Sequence, residues 1–203
     1  MAFDSSQVLS SRNFRIYVAS WNSTTILPLD SVDYGTAWGT PAGQTGAYSD
    51  MGYTDGGLNF NVSIDRGAIN VDQELDPILR PATGRDTRLS TNLAQLTPAN
   101  ILSATGQGAV TTVAATTAAR GHTDWDQDGD IDDIYLTVGV DIQHNGDSLP
   151  ARLAVWKGQV LGGMSITLNP TDKAVIAFEI AALPDTSTSP ARIARYRDIV
   201  AQL

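Results

Sequence analysis

The chain has 203 residues, of which 42% are hydrophobic and 17% charged, a composition that excludes intrinsic disorder and suffices for one sizeable core. Its formal net charge of -9 argues against a surface that grips nucleic acid, because such surfaces need clustered Lys and Arg. The absence of cysteine excludes disulfides and thiolate metal sites, and no apolar run approaches the roughly 20 residues that span a bilayer.

The N-terminal quarter of the chain contains polar segments around one predicted strand. Residues 1–11 are polar and lack both a basic start and an apolar stretch, so we expect an N-terminal arm and no signal peptide. Alternating apolar residues predict a half-buried strand over 13–20. Residues 31–55 are rich in Gly, Ser, Thr and Asp and predict a long loop, a type of segment that often contacts molecules outside its own domain.

A β-hairpin is predicted in the next segment. Residues 58–64 (LNFNVSI) alternate strictly between apolar and polar, which indicates a strand with one buried face. Residues 65–68 contain Gly and predict a turn, after which Ile69 and Val71 open the second strand of the hairpin. A further alternating strand is predicted over 87–93.

A capped helix is predicted after this strand. Thr97 is a good N-cap, Pro98 suits the first helical position, and Gly106 can end the helix. The Thr-rich segment 110–119 then predicts another strand, because β-branched residues favour extended backbone.

The second half of the sequence is typical of an antiparallel meander. Strands are predicted by apolar alternation over 134–142, 151–155 and 176–180. Turns are predicted at 145–146 (Asn-Gly), the strongest short hairpin signal in the chain, and at 157–158 (Lys-Gly).

The C-terminal segment, residues 184–203, predicts a linker followed by a short helix. Ser189 is placed as the N-cap, and apolar residues follow at helical spacing, namely Ile193, Tyr196, Ile199 and Val200. Together the elements predict a single domain over 1–203 that is mainly β: an antiparallel β-sandwich or barrel with one short flanking helix and extended terminal arms. Such sheets must close, cover or pair their edges, and pairing with further copies is one solution.

No catalytic motif is present in the sequence. His122 and His144 lie in no metal or triad pattern, and there is no GxSxG, HExxH or phosphate-binding Gly loop. We therefore predict that the protein is not an enzyme and requires no cofactor.

One group of acidic residues suggests a metal-binding site. Residues 124–133 (DWDQDGDIDD) place carboxylates at alternate positions around Gly129, which fits the DxDxDG pattern of calcium loops. An EF-hand would need Glu at the twelfth position, where Tyr135 stands, and strands flank the segment instead of helices. The candidate Ca²⁺ ligands are Asp124, Asp126, Asp128, Asp130 and Asp132. The alternative interpretation, of equal weight, is a solvated acidic loop whose charges are separated by water.

The stretch 53–108 carries a family resemblance. It contains a Gly-led strand from Gly57, INVDQ at 69–73, LDPI at 75–78, and a strand, RLSTNLAQL, that runs into a capped helix ending in SATG. This order of elements resembles the tail tube (major tail) proteins of long-tailed, siphovirus-type bacteriophages. The resemblance covers about a quarter of the chain, and the acidic segment 124–133 lies outside it.

The resemblance implies a structural protein of the virion. Copies of the chain would form rings, six to a ring, and the rings would stack into a hollow tail tube that conducts the genome from capsid to host. In this family the β-hairpins of neighbouring subunits join into a continuous inner barrel. The implied partners are further copies and other tail proteins, with DNA passing without specific binding and no membrane. The implied location is the virion tail, assembled in the host cytoplasm.

The resemblance also nominates residues for the inner wall. An acidic lumen would repel phosphate, and the net charge of -9 is compatible with that. The lumen-facing candidates are the polar residues of the predicted hairpin, Asn59, Asn61, Asp65, Asn70 and Asp72, while their neighbours Phe60, Val62, Ile69 and Val71 would face the subunit body.

An alternative function remains open at this point. The chain could be a calcium-stabilised β-sandwich binding module, such as an adhesin or carbohydrate-binding domain. The acidic segment favours this reading, as do Trp21, Trp38 and Tyr48 if they are exposed as a platform for sugars.

Overall fold

Alternating apolar residues produce strands along most of the chain, as a period of two requires. The computed structural model describes residues 14–22, 48–72, 74–127, 129, 133–143, 150–166 and 173–198. Its elements are β1 (Phe14–Ser20), β2 (Ser49–Asp50), β3 (Thr54–Arg66), β4 (Ala82–Leu93), α1 (Pro98–Thr105), β5 (Ala109–Val113), β6 (His122–Asp126), β7 (Tyr135–Gln143), β8 (Pro150–Val160), β9 (Ile176–Leu183) and β10 (Ala194–Asp198). The prediction of a mainly β, antiparallel protein with one short helix is confirmed over these residues.

Eight strands form one antiparallel sheet. Seven of them follow the order β2-β1-β7-β8-β9-β4-β3, and β10 joins through β8. One edge of β8 is shared, because residues 151–155 pair with β10 and residues 157–160 pair with β9. β5 and β6 form a separate two-stranded hairpin. The predicted N-terminal arm (1–11) and residues 31–47 of the predicted long loop (31–55) lie outside the described residues. The described part of that loop is not irregular throughout, since it contains β2 and the first residues of β3.

The core lies on the face of the sheet that the alternating residues predict. Leu89 and Leu93 of β4 and Ile176, Phe178 and Ile180 of β9 are almost completely buried. They join the buried side chains of β1, β7 and β8 in one cluster, whose members there are Ile16, Val18, Leu136, Val138, Val140, Leu153 and Val155. The predictions of strands over 87–93, 134–142, 151–155 and 176–180 are therefore confirmed in type, and the core positions are those that the alternation indicates.

The helix α1 begins and ends where its capping residues predict. The Thr97 hydroxyl accepts a hydrogen bond from the Asn100 backbone N–H at 3.2 Å, and Pro98 is the first helical residue. Gly106 ends the helix in the left-handed conformation, and its N–H donates to the Leu102 carbonyl at 2.8 Å. Ala104 is fully buried against the core, which fixes the helix on one side of the sheet.

The central strands are buried on both faces, which corrects the prediction of a half-buried β1. On the face opposite the main core, Tyr17, Thr137 and Trp156 are almost inaccessible to solvent. Asp141 and Arg152, directly opposite each other on β7 and β8, form an ion pair of 2.9 Å that is also buried. Polar residues in these strands therefore do not mark a solvent-exposed face, because a buried charge is tolerated when it is paired.

The hairpin prediction at residues 58–75 is wrong in its second strand. β3 pairs with β4, from Thr54 opposite Leu93 to Arg66 opposite Ala82. Ile69 and Val71 instead belong to a loop of residues 67–81, the tip loop, which is closed by a single bridge between Ile69 and Leu79. The 82–93 segment outcompetes 69–71 as the partner of β3 because its alternation is longer and its inward residues reach the core.

Three other predictions are corrected. The 157–158 segment is not a turn but part of β8, where Gly158 allows close approach, since a Cβ there would lie 2.8 Å from Ile180 Cδ1. The strand predicted over 110–119 is limited to β5, which ends at Val113. The C-terminal helix is wrong over 194–198, which form β10. The turn at 145–146 and residues 199–203 lie outside the described part of the chain.

Candidate assembly surface

The hairpin of β3 and β4 extends beyond the rest of the sheet. β4 pairs with β9 only over residues 88–93, whereas it pairs with β3 over its whole length. The half of the hairpin formed by residues 60–66 and 82–87 therefore has no further strand beside β4 within the described structure. A bulge between Asp55 and Leu58 bends β3 where the hairpin begins, and Gly56 and Gly57 supply the positive φ values of 76° and 85° that this bulge needs.

On one face of the hairpin every side chain that β3 contributes is apolar, while β4 contributes Thr91, Leu89, Thr87 and Arg85. Leu58, Phe60, Val62 and Ile64 point to the same side of β3, as alternation requires. Leu58 and Phe60 pack on the core, but Val62 and Ile64 are 48% and 51% exposed. The apolar face thus continues outward past the point where this subunit can cover it.

The opposite face of the hairpin is polar. Its members on β3 are Asn59, Asn61, Ser63 and Asp65, and their partners on β4 include Asp86, Arg88 and Ser90. Arg88 donates to Asp86 at 2.7 Å and approaches Glu179 of β9 at 3.2 Å. These two carboxylates raise the pKa of the Arg88 guanidinium, whose positive charge offsets part of theirs. With three carboxylates (Asp65, Asp86 and Glu179) and one guanidinium, this surface, which we call the polar face, is acidic.

The five lumen-facing candidates fall into two groups. Asn59, Asn61 and Asp65 lie together and exposed on the polar face. Asn70 and Asp72 are also exposed but lie in the tip loop, at the end of the hairpin. Among their predicted inward-facing neighbours, only Phe60 packs on the core, whereas Val62 and Ile69 are exposed.

β3 is also an edge strand. It has 13 residues, ends the order of the sheet, and has no strand on its outer side among the described residues. Long edges of this kind are templates for pairing with another chain unless they are interrupted or covered. The described structure shows no Pro in β3, and its charged residues are confined to its two ends.

The tip loop exposes both apolar and acidic side chains. Leu75, Ile78 and Leu79 are at least half exposed, and Leu75 is fully so. Residues 67–79 contain three carboxylates, those of Asp72, Glu74 and Asp76, and no Lys or Arg. The base of the loop is tied by Arg66, whose Nη1 donates to the Arg80 carbonyl at 3.3 Å.

A cleft of about 430 Å³ separates the projecting hairpin from β10. Its walls combine apolar groups with three arginines and include no carboxylate. The lining residues are Phe60, Val62, Arg85, Thr87, Leu153, Ala191, Arg192, Ile193, Ala194, Arg195 and Tyr196. Arg192 lies with its guanidinium 3.8 Å from the centre of the Trp156 ring, and Arg195 lies 5.5 Å from the same ring.

Local sequence patterns do not reveal this cleft, because its arginines come from β4 and from a segment predicted to be a helix. One signal was present: Ala194, Arg195, Tyr196 and Arg197 alternate between smaller or aromatic residues and cationic ones, which also fits a strand. Only the pairing of β10 with β8 brings these side chains opposite the hairpin.

Asp185 fixes the position of Arg192, which lines one wall of the cleft. Its carboxylate accepts hydrogen bonds from the Ser187 hydroxyl at 2.6 Å and from Arg192 Nε at 2.7 Å. Burial opposes ionisation of Asp185, but the hydrogen bonds from Ser187 and Arg192 outweigh it, so the pKa of this carboxyl lies below its usual value.

Because the pKa of Asp185 is lower in the folded than in the unfolded state, the carboxylate stabilises the fold above its unfolded pKa of about 3.9. This contribution is expected to disappear as the pH falls through the folded pKa. Asp185→Asn should therefore lower the free energy of unfolding by about 1.5–3 kcal/mol at pH 7, the range for hydrogen bonds to a charged group. Urea denaturation of both proteins at pH 7 and in acid measures it, and an equal difference at both pH values would contradict this account.

The candidate calcium ligands are only partly within the described structure. Asp124 and Asp126 lie on β6 on the same side as His122, whose Nε2 is 3.3 Å from Asp124 Oδ2. Asp128, Asp130 and Asp132 lie outside the described residues, as does His144. Among the residues that are described, no group of three metal-ligating side chains comes together. The calcium hypothesis therefore stays a prediction.

Of the three aromatic residues that favoured a sugar-binding platform, the two that the structure describes, Trp21 and Tyr48, do not form one. Tyr48 is buried, and burial raises the pKa of its hydroxyl. Trp21 packs edge-on against Tyr135, and the Lys157 ammonium lies 4.2 Å from the centre of its ring. Trp38 lies outside the described residues.

Two further observations bear on the class of protein. Within the described ranges, no helix has the length and apolar character needed to cross a membrane. Comparison with models of known protein families and with curated protein sequences finds no match to the chain.

Proposed function

We propose that this protein is the structural subunit of a hollow tube through which a bacteriophage genome passes, and that it has no enzyme activity. The tube is built from stacked rings of copies, six in each ring as the family resemblance implies. The proposed location is the virion tail, and the proposed partners are further copies and other tail proteins. The role requires neither catalytic residues nor a cofactor.

The observation that carries the proposal is the hairpin of β3 and β4. Its apolar face is left half exposed at Val62 and Ile64, and its outer edge is unpaired along 13 residues within the described structure. Neighbouring copies that add their hairpins edge to edge would satisfy the backbone groups of β3 and bury these side chains. Closure of such a sheet into a barrel removes every edge.

The polar face supports the choice of a genome conduit. In a barrel closed by the hairpins, with the apolar face turned to the subunit body, Asn59, Asn61 and Asp65 would line the bore. An inner wall of amides, hydroxyls and a net negative charge repels phosphate, and its one guanidinium, that of Arg88, is already engaged by Asp86 and Glu179. The binding-module alternative gains no comparable observation, since Tyr48 is buried and Trp21 is engaged by Tyr135 and Lys157.

Placing cations on the polar face should impede DNA without preventing assembly. Because each Lys that contacts phosphate adds favourable binding free energy, Asn59→Lys with Asn61→Lys is expected to reduce genome delivery by particles carrying this subunit by about tenfold or more. Thr117→Lys with Ala118→Lys, at exposed positions between β5 and β6, adds the same charge and is the matched control. Assembly is checked by electron microscopy of both particles. Normal delivery by correctly assembled Asn59→Lys, Asn61→Lys particles would contradict the assignment of this face to the bore.

A further inference from the structure

The tip loop and the cleft are complementary in charge. The tip loop carries three carboxylates, all within residues 67–79, and one cation, Arg80, which lies at the base of the loop beside Arg66. The cleft is lined by Arg85, Arg192 and Arg195 and by no carboxylate. Asp185 already pairs with Arg192, but no described carboxylate lies within ion-pair distance of Arg85 or Arg195. Both guanidinium groups are on exposed residues.

The two surfaces are complementary in apolar character as well. Leu75, Ile78 and Leu79 project from the tip loop with at least half of their surface exposed. The cleft offers apolar walls from Phe60 and Val62 on the hairpin, and from Leu153 and Ile193 on the opposite side. Removing exposed aliphatic surface from water stabilises a contact by about 25 cal/mol for each Å² buried.

The tip loop does not fill the cleft of its own subunit. None of residues 67–79 lines it, although the hairpin that carries the loop forms one of its walls. The loop lies at the end of the hairpin and the cleft along its side, so the two surfaces are available to different neighbours.

We infer that the tip loop of one copy docks into the cleft of the next copy, with Glu74 and Asp76 facing Arg85 and Arg195. This inference rests on the proposed self-assembly and names the contact through which each copy would join the next. Since one surface meets a different one, the contact is heterologous and generates a ring or a filament instead of a closed dimer. The charge pairs select the neighbour and its register, and the apolar side chains supply the buried area.

Charge reversal in two variants tests this contact. The tip variant is Glu74→Lys with Asp76→Lys, and the cleft variant is Arg85→Glu with Arg195→Glu. In each, like charges meet at every contact, so self-association measured by analytical ultracentrifugation is expected to weaken by about tenfold or more. In an equimolar mixture, Lys tips meet Glu clefts and acidic tips meet Arg clefts, so association should return with the two variants alternating. The control variant replaces four exposed neutral residues between β5 and β6, by Ala115→Lys, Thr117→Lys, Ala118→Lys and Ala119→Lys. It changes the net charge as much as the tip variant and should associate normally.

The outcomes separate this inference from the proposed function. A wild-type protein that stays monomeric overturns both. If the wild type assembles and both variants also assemble, the inference is overturned and the proposed function is not. The same holds if the cleft variant assembles normally and differs from the wild type only in its retention of DNA. Variants that fail to associate alone and also fail when mixed would show that tip and cleft do not face each other. Restoration in the mixture supports the contact and at the same time shows that both variants are folded.

Discussion

Replacing Arg152 with Met is expected to lower the free energy of unfolding by about 3 kcal/mol, because it removes the guanidinium that forms an ion pair with the buried carboxylate of Asp141. The Arg152 Nε lies 2.9 Å from Asp141 Oδ1, and the two side chains are 4% and 0% exposed. We place the effect at the lower end of the usual 3–5 kcal/mol because Arg15 is next to Asp141 in register on β1. Arg15 is itself 3.3 Å from Asp50, which limits its ability to compensate.

The double variant is the control for this prediction. Asp141→Leu with Arg152→Met removes both charges and keeps the volume of the interior, so most of the lost stability should return. Guanidinium denaturation of the wild type, both single variants and the double variant gives the coupling free energy between the two side chains. A single Arg152→Met variant as stable as the wild type would show that this ion pair contributes nothing to the fold.

Introducing carboxylates on the apolar face of the hairpin is expected to weaken assembly more than the charge reversals in the tip loop and the cleft. Val62→Asp with Ile64→Asp would bury carboxylates wherever the hairpins of two copies meet. Arg85 lies opposite position 64 and can pair with one of them, but position 62 lies opposite Thr87, so at least one carboxylate stays without a cation and association should weaken by about 100-fold or more. The monomer should remain folded, because both residues are about half exposed in it. Size-exclusion chromatography measures association, and circular dichroism measures the fold.

The matched control lies on the other face of the same strand. Asn61→Asp with Ser63→Asp adds the same charge within one residue of each substituted position, but on the polar face. Assembly of this control with loss of assembly in Val62→Asp, Ile64→Asp would assign the contact to the apolar face. Equal behaviour of the two variants would contradict that assignment.

The correctly predicted elements are those whose ends or buried face depend on residues close together in the sequence. Thr97, Pro98 and Gly106 set the ends of α1, because capping is a property of adjacent residues. Leu89 and Leu93 are buried on one face of the strand that the alternation over 87–93 predicts, since a period of two places them on the same side.

The incorrect predictions concern segments whose structure depends on residues that are distant in sequence. Residues 193–200 satisfy both a helical and a strand period, and the open edge of β8 favours the strand β10. Gly158 indicated a turn, but its role is to let β8 lie close to Ile180. The cleft could not be predicted for the same reason: Arg85 and Arg195 are far apart in sequence, and only the topology of the sheet places them on one cavity.

Electron microscopy of the purified protein in negative stain, across a range of concentrations, tests the central proposal most directly. The account predicts rings or tubes with a uniform bore, built from copies joined through the hairpin of β3 and β4. A monodisperse monomer at the highest concentration would contradict it.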